Sequence, residues 1–333
     1  MKNAIKRAIT GSRTFLRLLD RFVPDMPRVL VYHRFTPPGV RRPHRVSADE
    51  LSWQLDVICR DFKVVSLDEC VEYFLFHGAW PKASVILTVD DGYRDMYEWA
   101  YPELLKRNLK ATFFVTTRFI DGDIWLWPDR LEYAIANTAH KKATISMGDS
   151  VLDFPLHDDK HKAAAWKALS DYCISISSQR KDEFQKKVES ILDVSLPSAP
   201  PLEYAASTWD EIREMGQNGI EIGSHTKNHP ILSKVNPSLL DSEVGASKHV
   251  IEQQIGHGIK SFCYPNSAPD DINEDVIAAV RKAGFKCAVF GRNLSSWEPY
   301  TIPRMGVTDD RNDFLWKIHS GESISIVRRG NAK

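Results

Sequence analysis

The 333-residue chain is short of three things. Its five cysteines, Cys59, Cys70, Cys173, Cys263 and Cys287, are scattered, odd in number and form no Cys-x-x-Cys pair. That usage argues against secretion and predicts reduced, mostly buried thiols in a reducing compartment. Net charge is also missing, with 44 basic against 44 acidic residues, so nothing favours nucleic acid or a strongly anionic partner. Finally, no apolar run is long enough for a signal-peptide core or a membrane span. The expected location is therefore cytoplasmic. Residues 1–25 form a basic amphipathic segment, in which Lys2, Lys6, Arg7, Arg13, Arg17 and Arg21 alternate with Ile5, Ile9, Phe15, Leu18, Leu19 and Phe22. This pattern suits a solvated helix packed on the domain, and it equally suits peripheral contact of residues 1–22 with the inner membrane face.

What the chain does have is an apolar, β-branched run, Val85-Ile86-Leu87-Thr88-Val89, that climbs to Asp90-Asp91 and breaks at Gly92. Continuous apolar residues without alternation predict a strand covered on both faces. Such strands carry working residues at their carboxyl ends. Two adjacent carboxylates repel, and partial burial raises the penalty. A metal ion taking one as ligand would relieve it and leave the other as a base. The plainer reading is that Asp90 caps the turn that Asp91-Gly92 begins.

Strand-like runs at Arg28–His33, Phe62–Val65, Val85–Val89, Ala111–Val115, Ile220–Ser224, Lys260–Tyr264, Phe285–Phe290 and Thr301–Val307 alternate with helical segments. Capping boxes are predicted at Ser47, Ser66 and Thr208. This rhythm predicts an α/β fold, a distorted or incomplete (β/α) barrel of about seven strands spanning residues 26–320. Residues 121–205 break the rhythm and read as a mainly helical insertion with a small hairpin around Gly148-Asp149. Residues 321–333 read as a loose tail.

Several strand ends carry reactive groups. His225 and His229 are four apart and follow a strand. Two imidazoles plus one carboxylate make a common site for a catalytic divalent ion, although loop histidines that only hydrogen-bond also fit. His33 ends the first strand and can donate a proton to a leaving amine. Arg304 can orient a carboxylate through two parallel hydrogen bonds, or form a structural salt bridge. Backbone N–H groups of Tyr264-Pro265-Asn266 can bind an oxyanion, or form a proline turn. Trp125 and Trp127 suit stacking on a sugar ring or packing within the insertion.

Thr88-Val89-Asp90-Asp91-Gly92 resembles the Thr-Phe-Asp-Asp-Gly motif of the polysaccharide deacetylases, the carbohydrate esterase family 4 or NodB-homology group. Ser224-His225-Thr226-Lys227-Asn228-His229 resembles that family's paired-histidine motif. Ala111–Val115 and Tyr264-Pro265-Asn266 fit further family positions. The resemblance spans residues 28–120 and 205–307 and implies a hydrolase acting on carbon–nitrogen bonds. It implies that Asp91, His225 and His229 bind zinc, or cobalt or nickel, and that Asp90 is the base. The metal and an N–H near Asn266 would hold the oxyanion, and a protonated histidine would release the amine. The partner would be an N-acetylated amino-sugar glycan or its precursor. Three departures stand out. Cys263 replaces the family's base-orienting arginine, a duty Arg304 can take over. Asn266 replaces a tyrosine. The late Leu-x-His motif has no clean match, Lys317-Ile318-His319 being a poor one. Tyr32-His33 matches the early Tyr-His of the poly-N-acetylglucosamine deacetylase variant, so His33 is preferred to His319 as the acid. Two other readings stay open: a deformylase or deacetylase of a lipid-linked sugar at the membrane face, and a glycan-binding pseudoenzyme.

Overall fold

The computed structural model describes residues 6–7, 9–20, 26–266, 268–291 and 297–319. The predicted tail and the first residues of the basic segment lie outside this range. The strands are β1 (Arg28–Tyr32), β2 (Arg34–Thr36), β3 (Arg45–Ser47), β4 (Lys63–Val64), β5 (Ser84–Val89), β6 (Ala111–Val115), β7 (Lys142–Met147), β8 (Ser150–Pro155), β9 (Ile220–Ser224), β10 (Ser261–Cys263), β11 (Cys287–Phe290), β12 (Ile302–Pro303) and β13 (Met305–Gly306).

The main sheet runs β12–β11–β10–β9–β6–β5–β1–β13, with β4 added beside the start of β5. Its pairings are all parallel. The strand expected over Thr301–Val307 is split at Arg304. Ile302 pairs with Val289 of β11, and Met305 pairs with Leu30 of β1. One pass of chain therefore touches both ends of the sheet and closes a barrel with seven positions, as the strand count predicted.

The period-two alternation of strands sorts the buried side chains into two layers. Leu30, Leu87, Phe113, Ile222 and Phe262 join the helices around the barrel. Val29, Ile86, Phe114, Cys263 and Val289 form a second cluster inside it, together with Leu67, Cys70 and Val71 of the helix Leu67–His77, which plugs the amino-terminal mouth. Burying a phenylalanine such as Phe114 in this way contributes about 2–3 kcal/mol. Gly223 of β9 makes room for that ring, since a Cβ there would lie 2.5 Å from Phe114.

The insertion has an apolar core of its own. Helices Trp127–Asn137, Asp159–Ser175 and Ser178–Ile191 and the antiparallel β7–β8 hairpin enclose Leu131, Ile135, Ile145, Leu169 and Val188. The helix Arg13–Asp20 docks on the barrel through buried Leu16, an Arg13–Asp61 ion pair at 2.8 Å and an Arg28–Asp20 pair at 2.7 Å, while Phe15 and Leu18 face outward. No helix among the described residues is long and apolar enough to cross a membrane.

One local expectation is corrected. Ser66 and Thr208 form complete capping boxes, but Ser47 makes no capping hydrogen bond. Its partner Glu50 is drawn instead to Arg311 at 3.1 Å and Arg41 at 3.5 Å. The helical segment between β5 and β6 begins with a π-helical turn at Met96–Ala100 and becomes α-helical over Tyr101–Lys106. Pro102 supplies no N–H and crowds the carbonyl one turn back, and the wider turn accommodates it.

Candidate active site

The carboxyl ends of β1, β5, β6, β9, β10 and β12 share one mouth of the barrel, and the β5 carboxylates stand at its centre. Asp90 N–H donates to the Tyr32 carbonyl at 3.0 Å, so β1 and β5 end together. Asp91 then takes a left-handed backbone (φ 80°), and Gly92 follows at φ 109°. That φ favours glycine, and a Cβ on Gly92 would also press on the tip of the Ile120 side chain at 2.7 Å. The turn sends the two carboxylates in different directions.

Asp90 points into the barrel and meets Arg304. The guanidinium donates to both carboxylate oxygens, at 2.7 and 2.6 Å, and to Thr88 Oγ1 at 3.0 Å. Thr88 in turn donates to the Leu30 carbonyl at 2.8 Å. Arg304 Nη2 also lies 3.1 Å from Cys263 Sγ, which sits 3.5 Å from Asp90. Cysteine, at the position where the resemblance led us to expect arginine, is small enough to let an arginine from the closing strand reach the same carboxylate. Burial pushes the Cys263 thiol up, so it stays a neutral neighbour. Burial also pushes the Asp90 carboxyl up, but the Arg304 guanidinium, with His225 and His33 adding to it, brings it below the usual carboxylate range.

Asp91 faces the two histidines. Its Oδ1 lies 3.4 Å from His225 Nε2 and 3.3 Å from His229 Nε2. These separations are long for hydrogen bonds. They match the edge of about 3.3 Å between neighbouring ligands of a tetrahedral ion with bonds near 2.0–2.1 Å. His225 Nδ1 lies 2.9 Å from the Cys263 carbonyl, which turns Nε2 toward the carboxylate. The loop carrying both histidines is braced by β6 and the turn after it. Val115 O accepts from His225 N–H, and the N–H groups of Thr117 and Arg118 donate to Thr226 and Lys227. The donor set of Asp91, His225 and His229 therefore fits a divalent metal. Asp90, His225 and Cys263 also converge, but the guanidinium between Asp90 and Cys263 disfavours a cation there.

Asp91, Thr226, His229 and Asn266 all adopt positive φ, between 55° and 80°. Left-handed backbone is uncommon for such residues and is held only where the surroundings over-determine it. Of the eight non-glycine residues with positive φ among the described residues, these four lie around one mouth.

The remaining candidates divide. His33 is half-exposed, with Nε2 3.7 Å from Asp90 Oδ2. His319 is fully buried at the opposite end of the barrel: its Nδ1 lies 2.8 Å from Asp20, and its ring packs on Phe62, just before β4. Asn266 lies on the loop leaving β10. Tyr264 is corrected. Its side chain is buried, its hydroxyl donates to the Tyr300 carbonyl at 3.1 Å, and its N–H is spent on Val289. Neither group is available to an oxyanion.

Sequence reading missed a buried network beside His33. Arg34 Nε donates to Asp95 at 2.8 Å and its guanidinium lies over the Tyr93 ring, while Tyr93 donates to Asp129 of the insertion at 2.8 Å. Burial pushes Asp129 up to about 7. Isolated Arg, Asp and Tyr residues carry no signal of such a contact. Only Arg34 following His33 placed one member at the site.

A family profile described as polysaccharide deacetylase matches residues 77–163 and 200–288. Poly-beta-1,6-N-acetyl-D-glucosamine N-deacetylase of Staphylococcus epidermidis is 29% identical over 167 residues, which are 49% of this chain and 54% of that protein. The match thus spans about half the length of that relative. The structure of Streptococcus pyogenes deacetylase PplD in complex with acetate covers 90% of this chain and 100% of its own, with a TM-score of 0.57 at 19% identity. That of IcaB from Ammonifex degensii covers 89% and 97%, with a TM-score of 0.55 at 17% identity. These two share the fold. Because the profile covers more than half of the chain, the protein belongs to the polysaccharide deacetylase family.

Proposed function

We propose that the protein is a divalent-metal-dependent N-deacetylase acting on a polymer of N-acetylglucosamine. The substrate class follows the named activity of the Staphylococcus epidermidis relative. The observation that carries the metal dependence is the pair of 3.3 and 3.4 Å separations between Asp91 Oδ1 and two imidazole nitrogens.

Asp91, His225 and His229 would hold the ion. Bound there, it would supply Lewis acidity, acidifying water and polarising the acyl carbonyl. The chain's own groups do the rest. Asp90 takes the proton of the attacking water, and the two-point contact from Arg304 keeps its oxygens aimed and ionised. The Asn266 N–H donates to the developing oxyanion. His33, on the open side of Asp90, gives a proton to the departing nitrogen as the C–N bond breaks, yielding acetate and an amino sugar.

The test is metal content together with acetate release. We expect about one zinc, cobalt or nickel ion per chain, lost in Asp91→Ala and His225→Ala. His33→Ala keeps the metal and loses about 10²–10⁴-fold in turnover, the usual worth of a general acid. A wild-type protein without metal after reloading overturns the mechanism.

A further inference from the structure

Two groups of convergent ligating side chains lie at the barrel mouth, and a third lies in the insertion. His157, Asp158 and His161 bring two imidazole nitrogens and a carboxylate oxygen within 4.8 Å of one another. They stand where the chain leaves β8 and enters the helix Asp159–Ser175. Asp158 Oδ2 lies 3.4 Å from His157 Nε2, and Asp158 Oδ1 lies 2.8 Å from His161 Nδ1. The two imidazole rings lie against each other, with centres 4.1 Å apart.

Local structure holds these groups together. Asp158 is the N-cap of the helix, and its Oδ1 accepts from the His161 N–H at 2.9 Å, which ties the first turn to the cap. That contact, with the His161 ring adding to it, keeps the Asp158 carboxyl below the usual carboxylate range, so it is ionised and able to act as a ligand. Other exposed acids of the insertion pair with lysine, as Asp171 does with Lys167 at 2.6 Å and Asp182 with Lys186 at 2.7 Å. Asp158 has no such partner among the described residues, and its ionic contacts are the two imidazoles. Lys162, the next residue along, spends its Nζ on the Ala136 carbonyl at 2.9 Å. The positive end of the helix dipole disfavours a cation here, and the carboxylates of Asp158 and Asp159 offset it.

We propose that His157, Asp158 and His161 form a second metal site, which takes a divalent transition ion such as zinc from solution. Two imidazoles and a carboxylate suit that class of ion, and water completes the shell on the exposed side. The 3.4 Å separation at His157 is already close to the edge of about 3.3 Å between neighbouring ligands. At His161 the ion replaces the hydrogen shared by Nδ1 and Oδ1 and releases a proton. Bound there, it clamps the entry to the helix over the insertion core, where Phe154, Leu156 and Ala165 are buried. The inference does not rest on the deacetylase reading. The ligands are exposed, whereas Asp91, His225 and His229 are buried, so this is the weaker site and fills only when metal is added.

The test is calorimetric titration of the Asp91→Ala protein, whose barrel-mouth site lacks its carboxylate, with zinc alone. We expect about one ion per chain, with proton release, and a Tm that rises with added zinc. Replacing His157 and His161 together by alanine should weaken binding at least about tenfold and abolish the Tm shift. Asp158→Ser keeps a capping side chain but removes the carboxylate, and should weaken binding in the same direction. His140→Ala, which removes another exposed histidine of the insertion, should leave it unchanged. In the otherwise wild-type chain the double substitution should remove the weaker of two zinc-binding phases and spare the tighter one. No binding to the Asp91→Ala protein, binding that survives the double substitution, or an equal loss in His140→Ala overturns the site.

Discussion

The barrel and its insertion each bury an apolar cluster, yet they treat charge differently. At the open mouth of the barrel Asp90, Asp91, His225 and Arg304 are all buried. In the insertion the core is Leu131, Ile135, Leu169, Val188 and their neighbours, and charges such as Arg130, Asp182 and Glu189 pair at its partly exposed flank. Lys181 and Asp129 are the buried exceptions, and both lie where the insertion meets the site. Burying charge is unfavourable unless partners offset it. A region that keeps charges in its interior, with four left-handed backbone positions around them, is arranged for chemistry. A region that excludes them is arranged to hold a shape.

The comparison can be broken or sharpened by substitution. The largest expected effect is at Arg304. Arg304→Lys keeps the charge but loses the two-point contact with Asp90 and the third contact with Thr88. We expect kcat to fall about 10²–10³-fold, in line with a lost preorganised contact, with metal content retained. Unchanged kcat would make Arg304 a structural partner only. Next is Leu169→Ala in the insertion core. Leu169 is buried, so the change should destabilise by about 2–5 kcal/mol, read by denaturant unfolding, while the metal stays bound. If metal affinity falls with it as far as in Asp91→Ala, the two regions are one cooperative unit and the contrast dissolves.

The smallest effect is at the closed end of the barrel. Glu221, which accepts from Thr112 Oγ1 at 2.9 Å, is pushed up to about 7 by burial and by the nearby Asp68. Below its unfolded value of about 4.3 the carboxyl is neutral in both states. As pH rises toward 7 the unfolded chain ionises first, so this group's stabilising contribution is lost. Glu221→Gln should therefore raise Tm by a few degrees at pH 8 and hardly at pH 5. An equal shift at both pH values would remove ionisation as the cause.

Much of this was legible in the sequence. The runs ending in Asp90-Asp91 and His225 had to be buried strands, and parallel strands present their carboxyl ends together, so the metal candidates converged on sequence order alone. The preference for His33 over His319 came from the family resemblance; the fold places His33 beside Asp90 and His319 at the other mouth of the barrel. Tyr264 was misread because a residue just past a strand end can turn toward solvent or toward the helices, and period alone does not say which.

The sequence by itself determined the elements, their order, and which strand ends carry carboxylates and imidazoles, because those follow from hydrophobic period and turn chemistry within a few residues. Only the tertiary structure decided that Arg304 reaches Asp90, that Cys263 makes room for it, that Arg34 and Tyr93 tie the insertion to the barrel, and that Asn228, Trp127 and Gln185 face one cleft. Those contacts join residues far apart in the chain. Barrel closure through one short strand sets the first two, and packing of one compact body on another sets the rest.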